Sequence, residues 1–276
     1  MSFMIINADD LGYSPAVNQA IVDLHRAGLV TSTSLLVNQP FSSQAAALAR
    51  MLPDLSLGVH LNLSKGRPML PPAQVPSLVD DTGAFWNSSL FYRHALLGRV
   101  DWQEAADELD AQIRWAVEQG LRLDNLDTHV HFHMLPPARR LTLELAGRYG
   151  VRAWRTPDPR ATLLPSKLWV DLLATPSPDT WELMAPHFLL SLHQWGERLL
   201  TDPQLAELFR RPGLVTELVV HPGYRDDPHL PLPDQLPPER RQFEVDLLGS
   251  AAFAAWLQRT GLRLISFAGL RNATTI

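Results

Sequence analysis

Two periods alternate along the chain, and the switches between them mark its elements. Phe3-Met4-Ile5-Ile6 is an unbroken apolar run and predicts a buried strand from Phe3 to Asn7. Ser14-Pro15 reads as a helix start. Val17, Ile21 and Leu24 then share one face until Gly28 stops the helix. Val30 to Val37, rich in Thr and β-branched residues, predicts a second strand ending at Asn38. Ser42 or Ser43 can cap a short helix through Leu48. Leu57, Val59, Leu61 and Leu63 point one way along a third strand, and His60 and Asn62 point the other.

Ser64 to Val100 breaks the rhythm with Pro68, Pro71-Pro72 and Pro76, and predicts a long loop acting as a lid or carrying mobility. Its aromatics Phe85, Trp86, Phe91 and Tyr92 are expected to pack on the body rather than face a ligand. Asp101-Trp102-Gln103-Glu104 reads as a capping box for a helix that Gly120 stops. Strands are expected at Leu123–Phe132, Val151–Arg155, Leu214–Val220 and Leu262–Phe267. Helical spacing marks Pro136–Tyr149, Trp181–Leu200, Gln204–Phe209 and Phe243–Gln258. Asp158–Pro178 and Asp226–Pro238 read as irregular and Pro-rich.

Seven strands alternating with helices, with no repeat and no flexible linker, predict one α/β domain over 1–276. A distorted (β/α) barrel of about seven parallel strands fits best. No glycine-rich phosphate loop follows the first strand, which weakens a nucleotide-binding doubly wound sheet. The 276 residues, 46% hydrophobic, suffice for such a core. A net charge of -5 gives no reason to expect nucleic acid or an anionic membrane. Cys is absent, so disulfides, thiolate metal sites and cysteine catalysis are excluded. No run approaches a membrane span and no basic leader precedes the first strand, so a soluble, cytoplasmic protein is expected.

The candidate chemistry lies at strand ends. Asp9 and Asp10 follow a buried strand, where ligands bind in α/β folds. Two adjacent acids repel unless a cation or donor joins them, although a turn and a helix cap would also use Asp. If Asp127 to His133 is extended, Asp127, His129, His131 and His133 share one face. Residues two apart on a strand lie roughly 6.5 Å apart, so one small ion rarely takes all three histidines. His60, Arg155 and His221 are unremarkable singly, but each falls at the carboxyl end of a different predicted strand. In a parallel barrel these ends meet at one mouth. Acid and imidazole donors there suit Zn²⁺ or another divalent ion with open positions. A second Asp can take a proton from water that the cation acidifies, and a His opposite can protonate a leaving amine.

Ala8-Asp9-Asp10-Leu11-Gly12, Val30 to Asn38, Gly58 to Leu63, Asp127 to His133 and His221-Pro222-Gly223-Tyr224 together resemble the YdjC-like carbohydrate deacetylases, in that family's order. The resemblance implies a polysaccharide-deacetylase-like barrel that removes acetyl from N-acetylated sugars with one divalent metal ion, Mg²⁺ or Zn²⁺. It implies Asp10, His60 and His129 as metal ligands, Asp9 as base, His221 as general acid and Arg155 as the group orienting the base. His131, His133 and Asn38 are the expected substrate contacts. Gly66 to Pro72 and Gly150 to Arg155 also resemble the branch associated with hopanoid biosynthesis, so the N-acetylated sugar is chito-oligosaccharide-like or glycolipid-linked. A homodimer is expected by base rate alone. The rival readings are a barrel phosphoesterase or amidohydrolase and a sugar-binding homologue without activity. The usual amidohydrolase pattern is disfavoured, because the first strand ends in Asp-Asp rather than His-x-His.

Overall fold

The computed structural model describes residues 1–155, 183–229 and 236–273. Among the described residues eight strands form one sheet: β1 Phe3–Leu11, β2 Ser32–Leu35, β3 Ser56–Leu61, β4 Asn125–Thr128, β5 Ala153–Trp154, β6 Phe188–Ser191, β7 Val215–Val220 and β8 Arg263–Leu264. Every pairing is parallel, in the order β5-β4-β3-β2-β1-β7-β6, with β8 added beside the first residues of β1. A parallel bridge between Ala153 and Met184 ties the β5 edge to the segment entering β6, so the curled sheet nearly closes. This is the expected distorted (β/α) barrel. All nine residues of β1 are buried, which explains why its sequence is an apolar run rather than an alternation.

Inside and outside of the curl differ. The main core lies between the sheet and its helices. A smaller apolar floor, Phe3, Ile5, Ala153, Val215, Phe267 and Leu270, fills the amino-terminal end of the interior. Above that floor the interior is polar and converges on the carboxyl ends of the strands.

Local signals explain most elements. Ser14 Oγ accepts from Val17 N at 3.2 Å at the start of the helix Pro15–Arg26. Asp101 caps the helix Trp102–Glu118 by accepting from Gln103 N and Glu104 N. The Glu104 carboxylate does not close the box; it accepts from Ser77 N at 2.8 Å instead. The Pro-rich 64–100 stretch is not a free lid. It holds a helix at Ser88–Leu96, buries Phe85 and Phe91, and is pinned from below. The fully buried Glu108 accepts from Met69 N and Leu70 N, each at 2.9 Å, and from Gln112 Nε2 at 2.8 Å.

Three expectations need correction. The helix expected over Trp181–Leu200 contains β6, which takes the slot beside β7 with Phe188 opposite Thr216. A short buried apolar run fits a strand or a helix equally well, and the free sheet edge decides. The fourth strand stops at Thr128 rather than Phe132, and the last one shrinks to Arg263–Leu264. The expected irregular stretch Asp158–Pro178 and part of the loop at Asp226–Pro238 lie outside the described residues. No described helix is long and apolar enough to cross a membrane.

The Glu108 anchor makes a stability prediction. Glu108→Ala leaves two loop N–H groups without their acceptor and should cost about 2–4 kcal/mol, read as a lower denaturation midpoint at unchanged m-value. A loss below about 0.5 kcal/mol would show that the loop is not held this way.

Candidate active site at the carboxyl ends of the strands

Asp9 and Asp10 are consecutive, so a regular strand would aim them at opposite faces. The chain avoids this with a bulge. Ala8 pairs with Thr33 and Leu11 with Leu35, so three steps on β1 face two on β2. Asp10 takes the left-handed conformation, φ 69°, and Gly12 follows at φ 96°. A left-handed non-glycine residue costs on the order of 1–3 kcal/mol. In return both carboxylates turn to the same mouth. Gly12 is required here, because a Cβ would stand 2.6 Å from Leu36 O.

Each acid has its own buried guanidinium. Arg155, at the end of β5 and fully buried, donates Nη1 to Asp9 Oδ2 at 2.8 Å and Nη2 to Asp9 Oδ1 at 2.6 Å. Arg241, from the helix Pro238–Leu248, donates Nη2 to Asp10 Oδ2. Burial opposes ionisation of both acids. The arginines, helped by His60 and His221 for Asp9 and by His129, His221 and His60 for Asp10, outweigh it and hold both below the usual carboxylate range.

Asp10 Oδ1 is buried without a hydrogen bond and faces His129 Nδ1 at 3.6 Å and His60 Nε2 at 4.0 Å. The three donor atoms lie within 4.8 Å of one another. His60 Nδ1 donates to Asp127 Oδ1 at 2.8 Å, which leaves Nε2 as the nitrogen turned to the acid pair, 3.7 Å from Asp9 Oδ2 and 4.0 Å from Asp10 Oδ1. Burial drives His129 down to about 3, which leaves its imidazole neutral and able to bind a cation. One carboxylate oxygen and two imidazole nitrogens converging on a point fit a divalent ion.

His221, just beyond β7, places Nε2 at 3.8 Å from Asp9 Oδ2 on the other side of the acid pair. Burial lowers its imidazole to about 4 against the pull of Asp9 and Asp10, so it is neutral at pH 7. The structure thus brings together six expected residues: Asp9, Asp10, His60, His129, Arg155 and His221.

The other three stand differently. Asp127 to His133 is not extended: Val130 and His131 are left-handed, with φ 51° and 56°, and the chain turns out of the strand after Thr128. The shared face is therefore broken. Tyr92 holds this turn by donating its hydroxyl to Val130 O at 2.7 Å. His131 Nδ1 is buried without a partner, and burial, with Arg155 adding to it, lowers that imidazole to about 4. His133 is fully buried beneath, where Thr128 Oγ1 accepts from His133 N and lies 2.5 Å from Nδ1. Asn38 does not reach the acids. Its Nδ2 donates to Lys65 O and Arg67 O at 3.0 and 2.8 Å, and its Oδ1 accepts from Asn62, so its amide clamps a loop and has no donor left for a ligand.

Several residues of the site carry no role in the sequence reading. Asp127 joins His60 to Arg155 Nη2, at 2.8 and 3.0 Å, and accepts from Ser34 Oγ at 2.6 Å. Asn7 bridges Asp9 Oδ1 and Ser34 Oγ, both at 2.9 Å. Glu217 grips Arg155 from below. Glu244 accepts from His221 N. A lone acid inside the apolar stretch of β7 marks Glu217 in the sequence. Arg241 has no such mark, since Arg240 beside it is exposed.

The family model for YdjC-like proteins matches residues 3–259. The chain is 32% identical to the carbohydrate deacetylase of Brevibacillus brevis over 97% of this chain and 99% of that protein. It is 44% identical to the carbohydrate deacetylase of Enterococcus faecalis over a shorter match, 47% of this chain and 49% of that one. Among solved structures, an Enterococcus faecalis protein named for cellobiose-phosphate cleavage superposes with a TM-score of 0.80 at 31% identity, covering 98% of both chains.

Two stability outcomes follow from the buried charges. Arg155→Met leaves Asp9 without its counter-charge and should cost about 3–5 kcal/mol in chemical denaturation; a cost under about 1 kcal/mol would mean that Asp9 does not depend on it. The Asp9 carboxyl is depressed in the folded state, so its stabilisation is complete above the unfolded value near 4 and is lost as pH falls through the folded value. Wild-type stability should therefore fall more steeply below about pH 4 than that of Asp9→Asn. Parallel curves for the two proteins would contradict the pairing.

Proposed function

The chain belongs to the YdjC-like family, and on that premise we propose that it is a carbohydrate deacetylase that hydrolyses the N-acetyl group of an amino sugar and releases acetate. The observation that carries this reading is the unpartnered Asp10 Oδ1 facing two imidazole nitrogens, with a second, separately paired acid beside it. Asp10, His60 and His129 would hold one divalent ion, Zn²⁺ or Mg²⁺. When bound, that ion supplies Lewis acidity to the acetyl carbonyl and lowers the pKa of water.

The chain's own residues do the rest. Asp9 is the base: its two oxygens are fixed by Arg155, stay ionised, and take the proton of the attacking water. The water oxygen bonds to the acetyl carbon. His221 Nε2, 3.8 Å from Asp9 Oδ2 and unprotonated at rest, receives a proton from that side and gives it to the departing nitrogen as the C–N bond breaks. Acetate and a free amine leave. Asp127 accepts from His60 Nδ1 and so keeps Nε2 turned toward the acid pair. The buried, unbonded Nδ1 of His131 supports reading this residue as a hydrogen-bond partner of the sugar. His133 acts through the turn that carries His129 and His131, and Asn38 through the loop it clamps.

Chelator-stripped protein should release no acetate from N-acetylated chito-oligosaccharides, and Zn²⁺ or Mg²⁺ should restore release. His129→Ala should lose the bound metal and on the order of 10³-fold in kcat/KM while remaining folded. Full activity of the stripped protein, or of His129→Ala, would refute the assignment. Turnover of phosphate esters with none of acetylated sugars would favour the phosphoesterase reading.

A further inference from the structure

Glu217 is a fully buried acid in the middle of β7, four residues before His221 on the same strand face. Its Oε1 accepts from Arg155 Nε at 2.8 Å and lies 2.8 Å from Nη2. The guanidinium is planar and its N–H groups all lie in that plane. The Nη1/Nη2 fork holds Asp9, and the adjacent Nε/Nη2 edge holds Glu217. Gripped on two edges, the plane can neither slide nor swing. Without Glu217 it would keep Asp9 and the Asp127 contact at 3.0 Å on Nη2, but nothing would hold Nε.

Arg155 donates its backbone N–H to Leu126 O of β4 at 3.1 Å. It closes β5, a two-residue strand that pairs with β4 at only Ala153 and Trp154. β7 is the longer strand. It runs six residues and is paired with β1 on one side and β6 on the other. Its register places Glu217 beside Ile5 and Val220 beside Ala8, immediately before Asp9 and His221.

We propose that Glu217 is a positioning residue for the reaction: it refers the Arg155 guanidinium, and through it the Asp9 carboxylate, to the strand that carries His221. The proposal rests on the reading of Asp9 as base and His221 as its counterpart. It assigns Glu217 no contact with substrate or metal. It also assigns Glu217 no need for charge, since one acceptor oxygen makes both contacts and Oε2 has no partner. Burial, which raises its carboxyl to about 7 against the pull of Arg155, is consistent with that. Gln therefore replaces Glu at this position, whereas Ala removes the acceptor and Asp withdraws it by one methylene.

The test compares Glu217→Gln, Glu217→Asp and Glu217→Ala as metal-loaded 276-residue chains. Acetate release from an N-acetylated chito-oligosaccharide gives kcat and KM. The ¹⁵N–¹H spectrum of arginine Nε–H groups, with Arg155→Lys identifying the signal, reports the contact without reference to activity. Glu217→Gln should keep kcat within about threefold and retain a slowly exchanging Arg155 Nε–H. Glu217→Ala should lose about 100-fold in kcat at little-changed KM and metal content, with that signal lost or fast-exchanging. Should Ala not fold, Glu217→Asp takes its place with the same expected loss. A folded, metal-loaded Ala or Asp variant with wild-type kcat overturns the proposal, as does a Gln variant impaired as far as Ala. If even the wild-type chain releases no acetate, the deacetylase reading fails instead, and the Nε–H signal alone decides whether Glu217 holds Arg155.

Discussion

The arrangement depends on one buried ion pair, Arg155 with Asp9. The barrel mouth gathers Asp9, Asp10, Asp127 and Glu217, all of them buried. Two unit charges about 4 Å apart interact by about 4 kcal/mol at an effective dielectric constant of 20, so unpaired acids this close would resist folding. Arg155 touches three of the four acids, and Arg241 takes Asp10. The bidentate Asp9 contact offsets the cost of burying that carboxylate, and the short strand β5 brings the guanidinium to it. A buried pair of this kind contributes little net stability against an apolar core, but losing one partner strands the other. Its main effect is to fix geometry.

The fixed geometry puts two neighbouring, chemically identical residues into separate environments. The β1 bulge turns both acids inward, and the two arginines approach from different elements, one from β5 and one from the helix Pro238–Leu248. Asp9 has both oxygens engaged by protein. Asp10 keeps one oxygen open toward His60 and His129. The proposed division into a metal ligand and a base rests on that asymmetry more than on the presence of two acids. The surrounding loops are held by the same kind of buried bond. Glu108 pins Met69 and Leu70, Asn38 ties down Lys65 and Arg67, and Tyr92 holds the left-handed turn at Val130.

Much of this is legible in the sequence, for physical reasons. The all-buried β1 leaves an apolar run, Ser14-Pro15 and Asp101 announce helix starts through side-chain caps, and polar residues at the ends of apolar strands point to one mouth. The parts that are not legible depend on long-range competition. Phe188 to Ser191 reads as helix because only the open edge of β7 makes it a strand. The histidines after Asp127 alternate as a strand would, yet the chain adopts positive φ at Val130 and His131, a conformation with no signal in a β-branched residue. Asn38 sits at a strand end like a ligand-binding residue, but its amide is consumed by a loop that no local pattern brings to it. Arg241 is invisible because its partner, Asp10, is 231 residues away.

The division of labour between the two adjacent acids is the central claim, and calorimetric titration of Zn²⁺ into metal-free wild type, Asp9→Asn and Asp10→Asn tests it most directly. Asp10→Asn should bind the ion at least about tenfold more weakly, whereas Asp9→Asn should bind within a few-fold of wild type while releasing no acetate. Equal loss of Zn²⁺ affinity in both variants, or turnover by Asp9→Asn at the wild-type rate, would contradict it.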